Sequence, residues 1–124
     1  MTITPFPLNA RQSMTISNFL SGHYLHDSLV EKVAYENNTV DITIDFCFWM
    51  QEGSRENEPE TGIIHLRFPD VTFFSGPSGS LDDYSILEAN YQDGCLILLL
   101  MDDFNNTSYE LKITSASGTV EVNY

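Results

Sequence analysis

All three histidines of this chain, with one adjoining aspartate, are the first candidates for chemistry. His23, His26 and Asp27 spell His-x-x-His-Asp, and His65 lies further on. Imidazole and carboxylate groups brought together bind divalent metals. A histidine–aspartate dyad also evokes metal-dependent phosphohydrolases. Those enzymes draw further ligands from several long helices, and the pattern around His65 predicts a strand instead. The alternative reading is architectural. Asp27 or Ser28 ties down the backbone where a first strand begins, and His26 packs or hydrogen-bonds beside them. That reading of His26, Asp27 and Ser28 is favoured, because converging ligands cannot be derived from this spacing.

The other candidates weaken in the same way. His26, Asp27 and Ser28 are consecutive, so in an extended chain they face alternate sides and cannot align as a nucleophilic triad. There is no Gly-x-Ser-x-Gly elbow, and the loop around Gly76 and Gly79 lacks the lysine of a phosphate-binding loop. Cys47 and Cys95 have no basic neighbours in sequence and read as core thiols rather than nucleophiles. Asp102, Asp103, Asn105 and Thr107 offer oxygens at a hairpin tip. Ser108 stands where a calcium loop needs glycine, and Thr114 where it needs its bidentate glutamate, so the stretch reads as a plain turn. No catalytic residue is assigned, and no metal or other cofactor is expected.

The elements that would position these residues are mostly strands. Residues 1–8 contain Pro5 and Pro7 and should be extended. A short helix follows, capped by Asn9 or by Ser13, with Met14, Phe19 and Leu20 on one face and Gly22 as its stop. From Asp27 the period becomes two. Leu29, Glu31, Val33 and Tyr35 share one face, and Val30, Lys32 and Ala34 the other. After the Asn37-Asn38 turn the alternation is cleanest. Val40, Ile42, Ile44, Phe46, Phe48 and Met50 point inward, while Asp41, Thr43, Asp45, Cys47 and Trp49 point outward.

Residues 51–61 are charged, contain Gly53 and Pro59, and read as a flexible loop. A strand at Ile63–Phe68 should bury Ile64, Leu66 and Phe68, with His65 and Arg67 outside. A short strand at Val71–Phe74 and a loop at Ser75–Asp83 come next. In Tyr84–Tyr91, Leu87, Ala89 and Tyr91 oppose Ile86, Glu88 and Asn90. Asp93-Gly94 is a strong hairpin signal. Cys95–Met101 is apolar on both faces and should be covered on both. Two more strands carry Tyr109, Leu111 and Ile113, then Val120, Val122 and Tyr124. NNT recurs at Asn37 and Asn105, a reuse of turn chemistry. The expected fold is one mainly β (α+β) domain over residues 1–124. It would be an antiparallel meander of about seven or eight strands, a curled sheet or partly open barrel, with one short N-terminal helix.

Composition bounds the partners. The 124 residues are 42% hydrophobic, enough for a packed core, and no apolar run reaches the roughly 20 residues of a membrane helix. No secretory leader is visible, so a reducing cytoplasm with free thiols is expected. Five Lys and Arg face 18 Asp and Glu, a net charge of −13. That surface repels nucleic acids and anionic membranes and suits a basic protein. Asp41, Asp45 and Trp49 on the outer face of one strand form the candidate partner-binding patch, an aromatic anchor among carboxylates. The chain is expected as a monomer or as a homodimer through a sheet edge.

The segment LHDSLVEKVAYENNTVDITIDF, Leu25 to Phe46, resembles the opening of several small bacterial families of unassigned function. Some are grouped with immunity proteins of polymorphic toxin systems. His26, Asp27 and Ser28 at the strand start and the hairpin across Asn37-Asn38 carry the likeness. It implies a non-enzymatic, partner-binding protein. Two alternatives stand beside it. One is a metal-binding protein or metal-dependent hydrolase using His23, His26, Asp27 and His65. The other is a small β-barrel that binds an apolar ligand, unless Phe46, Phe48, Leu98 and Leu100 fill the interior.

Overall fold

The computed structural model describes residues 12–47 and 61–123. In chain order the elements are β1 (Gln12–Thr15), α1 (Ile16–Gly22), β2 (Leu29–Glu36), β3 (Thr39–Cys47) and β4 (Thr61–Phe68). They continue as β5 (Phe73–Ser75), β6 (Gly79–Gln92), β7 (Cys95–Asp102), β8 (Thr107–Thr114) and β9 (Thr119–Asn123). The nine strands form one open antiparallel sheet in the order β1-β9-β4-β3-β2-β6-β7-β8-β5. The chain is thus mainly β with a single short helix among the described residues, as its alternating pattern dictates.

The sheet curls over its own inner face. Val40, Ile42, Ile44 and Phe46 of β3, Ile64, Leu66 and Phe68 of β4, and Leu96, Leu98 and Leu100 of β7 are all fully buried. One sheet and a seven-residue helix can seal that face only by folding the sheet across itself. Ring contacts span the fold. Phe68 of β4 lies 6.4 Å from Tyr91 of β6, and Tyr35 of β2 lies 4.9 Å from Phe74 of β5. Ser115 pins the join. Its Oγ is 2.6 Å from the Pro69 carbonyl and 2.7 Å from that of Ser117, and its own carbonyl accepts the Tyr91 hydroxyl at 2.8 Å. Its N–H donates to the Gly94 carbonyl at 2.8 Å.

Local sequence explains the turns. Asn37 and Asn38 both adopt positive φ, 52° and 58°, which Asn tolerates and a two-residue hairpin requires. Asp93 and Gly94 do the same at 54° and 75°. The helix begins later than its sequence suggests. Thr15 is the cap, its hydroxyl accepting the Asn18 N–H at 3.2 Å, and Gly22 is the last helical residue. Ser13 and Met14 belong to β1 instead, opposite Glu121 and Val120 of β9. A ladder to a distant strand outweighs the weak helix propensity of Ser and Thr. Asn9 and residues 1–8 lie outside the described residues.

Two bulges overturn the expected facing of side chains. In β2 the register slips between Val30 and Lys32, so Val30 and Val33 are both buried although three positions apart. Leu29 and Tyr35, assigned to the face of Val33, are exposed. In β6, Ile86 pairs with Leu100 and Glu88 with Leu99, which leaves Leu87 as the extra residue. Ile86 therefore joins Ala89 and Tyr91 on the core side. The expected loop at Ser75–Asp83 is partly strand, because β6 starts at Gly79 against Val33. On β7 only one face is sealed. Cys95, Ile97, Leu99 and Met101 remain half-buried, and α1 packs on β6, β1 and β9. The expected loop at residues 51–61 falls outside the described residues except Thr61, which opens β4. No described helix is long and apolar enough to cross a membrane.

Candidate functional site

His23 ends α1 and turns inward. Its ring stacks on Phe19 at 4.7 Å and meets Phe46 edge-on at 6.0 Å. Nδ1 lies 3.2 Å from the Phe19 carbonyl, so Nδ1–H donates there. Burial pushes the imidazole pKa below its usual 6.5, and the Phe19 bond works in the opposite direction.

His26, Asp27 and Ser28 stitch the connector to the bulge in β6. His26 is exposed, with Nδ1 3.0 Å from the Leu87 carbonyl and Nε2 3.5 Å from Asp27 Oδ1. Asp27 holds φ at 67° and donates its N–H to the Ile86 carbonyl at 2.9 Å. Ser28 is fully buried; its carbonyl accepts the Ile86 N–H at 2.8 Å and its N–H reaches the Leu25 carbonyl at 3.0 Å. The Ile86 bonds continue the β2–β6 ladder past Leu29↔Ser85, and Leu87, the extra residue of the β6 bulge, supplies the carbonyl that His26 meets. A groove of about 360 Å³ lies between α1 and β6, with His23, Tyr24, His26 and Glu88 among its walls.

His65 stands apart on β4, across from Thr43, with Nδ1 3.4 Å from the Thr43 hydroxyl. Among the described residues no three His, Cys, Asp or Glu side chains gather as a metal-binding group. Asp41 faces Arg67 across the β3–β4 ladder, 3.4 Å from its guanidinium. Asp45 is half-buried between Leu29 and Ile63. Trp49, the expected anchor beside Asp41 and Asp45, lies outside the described residues. A shallow groove of about 270 Å³ gathers Asp41, His65, Arg67, Thr119 and Glu121 on this outer face.

A larger groove, about 720 Å³, opens where β2, β6 and the β7–β8 turn meet. Backbone irregularity builds it. Val30 pairs with Tyr84 and Lys32 with Ser80, so Glu31 alone opposes Leu81, Asp82 and Asp83. That step pushes the β6 backbone out and sets exposed Glu31, Asp82 and Asp83 on the rim. Across the groove, Asp102 is only 3% exposed. Its carboxylate accepts the N–H groups of Phe104 and Asn105, each at 3.1 Å, and Asn105 Nδ2 at 2.8 Å.

Those bonds, led by the Asn105 side-chain amide, outweigh the desolvation that opposes them and hold the Asp102 carboxyl below its usual range. The Tyr84 hydroxyl bonds to the same carboxylate. Desolvation foremost, then the charge of Asp102, raises the Tyr84 phenol above 10. The Tyr84 and Tyr109 rings stack at 5.8 Å.

A turn tied this firmly to Asp102 projects Phe104 into solvent, where it is 83% exposed. Phe104 and the carboxylates of Glu31, Asp82 and Asp83 were not legible as a group in the sequence. They come from three separate elements, and the one local signal was an aromatic residue inside an Asp-Asp-Phe-Asn-Asn turn. The arrangement offers an apolar anchor beside negative charge. No family model matches the chain, and no match is found among curated proteins or solved structures.

Proposed function

We propose that this chain is a small cytoplasmic protein-binding module that engages a basic partner, without enzymatic activity of its own. The observation that carries the reading is Phe104, 83% exposed and held out by the Asp102 turn beside the groove rimmed by Glu31, Asp82 and Asp83. Burying one phenylalanine side chain contributes about 1.5–3 kcal/mol, enough to make an anchor. A net charge of −13 draws a cationic partner in and speeds encounter at low salt. The immunity-type role implied by the resemblance of Leu25 to Phe46 is the specific form of this proposal, with a basic toxin as the partner masked.

The test is affinity capture from the native host with neighbouring genes co-expressed. It compares the unaltered chain with Phe104→Ala and with the double variant Asp82→Asn/Asp83→Asn. A basic protein retained by the first and lost by the variants is the expected result. Recovery of no basic protein, or equal recovery by all three, refutes the reading.

A further inference from the structure

We propose that the open edge of β8 accepts an extended, positively charged segment of the partner as an added strand. The inference rests on the basic-partner reading above and names its mode. β8 pairs with β7 along its whole length, from Asp102↔Thr107 to Cys95↔Thr114. On its other side β5 covers only Lys112, Ile113 and Thr114. Gly76, just past β5, lies against Leu111 so closely that a Cβ there would sit 2.9 Å from the Leu111 Cα. The cover therefore stops at Leu111. Thr107, Ser108, Tyr109 and Glu110 are left at the sheet margin, all exposed, with no further strand beside them among the described residues.

Four residues span about 13 Å of strand, and alternate N–H and C=O groups along it face away from β7. Sheet edges are ordinarily blunted by proline, bulges, lysine or covering segments. Here the β7–β8 register runs without a shift, and the stretch Thr-Ser-Tyr-Glu has neither proline nor lysine. Strand addition is the recognition mode such an edge serves.

Charge selects the occupant. Exposed Asp103, in the β7–β8 turn, adjoins the edge, while Asp82 and Asp83 sit on β6 on the far side of β7 and add to the negative field at longer range. Lys112 is 3.1 Å from Glu110 and offsets that carboxylate alone. A second copy of this chain would set another net charge of −13 against the first. A segment carrying Lys or Arg at alternate positions meets Asp103 and the net negative charge of the chain with attraction and completes the ladder.

The test uses a short peptide of alternating lysine and threonine, and an analogue N-methylated at every second residue. The analogue keeps the charge and removes ladder donors. Binding is measured at low salt by calorimetry, with amide exchange followed at residues 107–110. The peptide is expected to bind and to slow exchange there, and the analogue to bind about tenfold more weakly or worse. Equal affinity of the two overturns strand addition and leaves the basic-partner reading standing. Binding by neither overturns both. Dimers that protect the same amides without peptide overturn it too, by giving the edge to a second copy.

Discussion

Gly118 offers a quantitative test of how the sheet closes. It is buried, precedes β9, and its carbonyl accepts the Ile16 N–H at 2.8 Å. A Cβ added there would fall 2.5 Å from Phe68 Cε1, 2.7 Å from Cδ1 and 3.1 Å from Ile16 Cγ2. Carbon atoms in van der Waals contact sit at about 3.5–4.0 Å, so the Phe68 ring would have to retreat by roughly 1 Å. It has little room, being fully buried in the core near Tyr91.

Two effects compete in Gly118→Ala. Loss of glycine's freedom in the unfolded chain stabilises by about 0.4–1 kcal/mol. Overpacking a tight core costs about 1–3 kcal/mol. The clash wins, with a net loss of about 1–2 kcal/mol. For a chain of this size that is a fall in Tm of roughly 4–8 °C. Urea unfolding followed by circular dichroism should show a lower midpoint with an unchanged slope. In the Phe68→Leu background the ring edge is gone, and the penalty of Gly118→Ala should shrink by about 1 kcal/mol. A neutral or stabilising Gly118→Ala, or an undiminished penalty in the Phe68→Leu background, would refute the packing of β9 against β4 described above.

Other consequences follow from the same contacts. Phe46→Ala removes a fully buried ring that touches Phe19 and His23, and should cost about 3–5 kcal/mol in chemical denaturation; unchanged unfolding would displace the core. Because the folded His23 holds its proton less tightly than the usual 6.5, the unfolded chain gains the proton first as pH falls. Stability should therefore decline below about pH 6.5, and more steeply than in His23→Phe, when melting is compared from neutral to mildly acidic pH. Asp102 behaves as a depressed carboxylate: its contribution is present above its usual 3.8 and disappears as pH falls through its lower folded value. Asp102→Ala should accelerate exchange of the Phe104 and Asn105 amides, and equal exchange rates would disprove its hold on the turn. Phe104→Ala should leave stability within about 0.5 kcal/mol, as an exposed side chain does, while weakening partner capture.

Much of this architecture follows from local pattern. Alternation in β3 and β4 placed Val40, Ile42, Ile44, Phe46, Ile64, Leu66 and Phe68 in the core, since a strand's faces alternate strictly. The Asn37-Asn38 and Asp93-Gly94 turns were legible because few residues tolerate positive φ. Alternation fails wherever the partner strands demand an extra residue. The bulges at Glu31 and Leu87 put Val30 on the same side as Val33 and Ile86 on the same side as Ala89 and Tyr91, and nothing local to those residues announces them. The step at Glu31 shapes the groove beside Phe104, and the bulged Leu87 supplies the carbonyl that meets His26. Sequence alone thus determined a mainly β chain, its turns, its acidic charge and the inner face of its central strands. Which strands meet, where the sheet curls, and which carboxylates gather around Phe104 were decided by tertiary structure, because ladder register and bulges arise from pairing between segments distant in the chain.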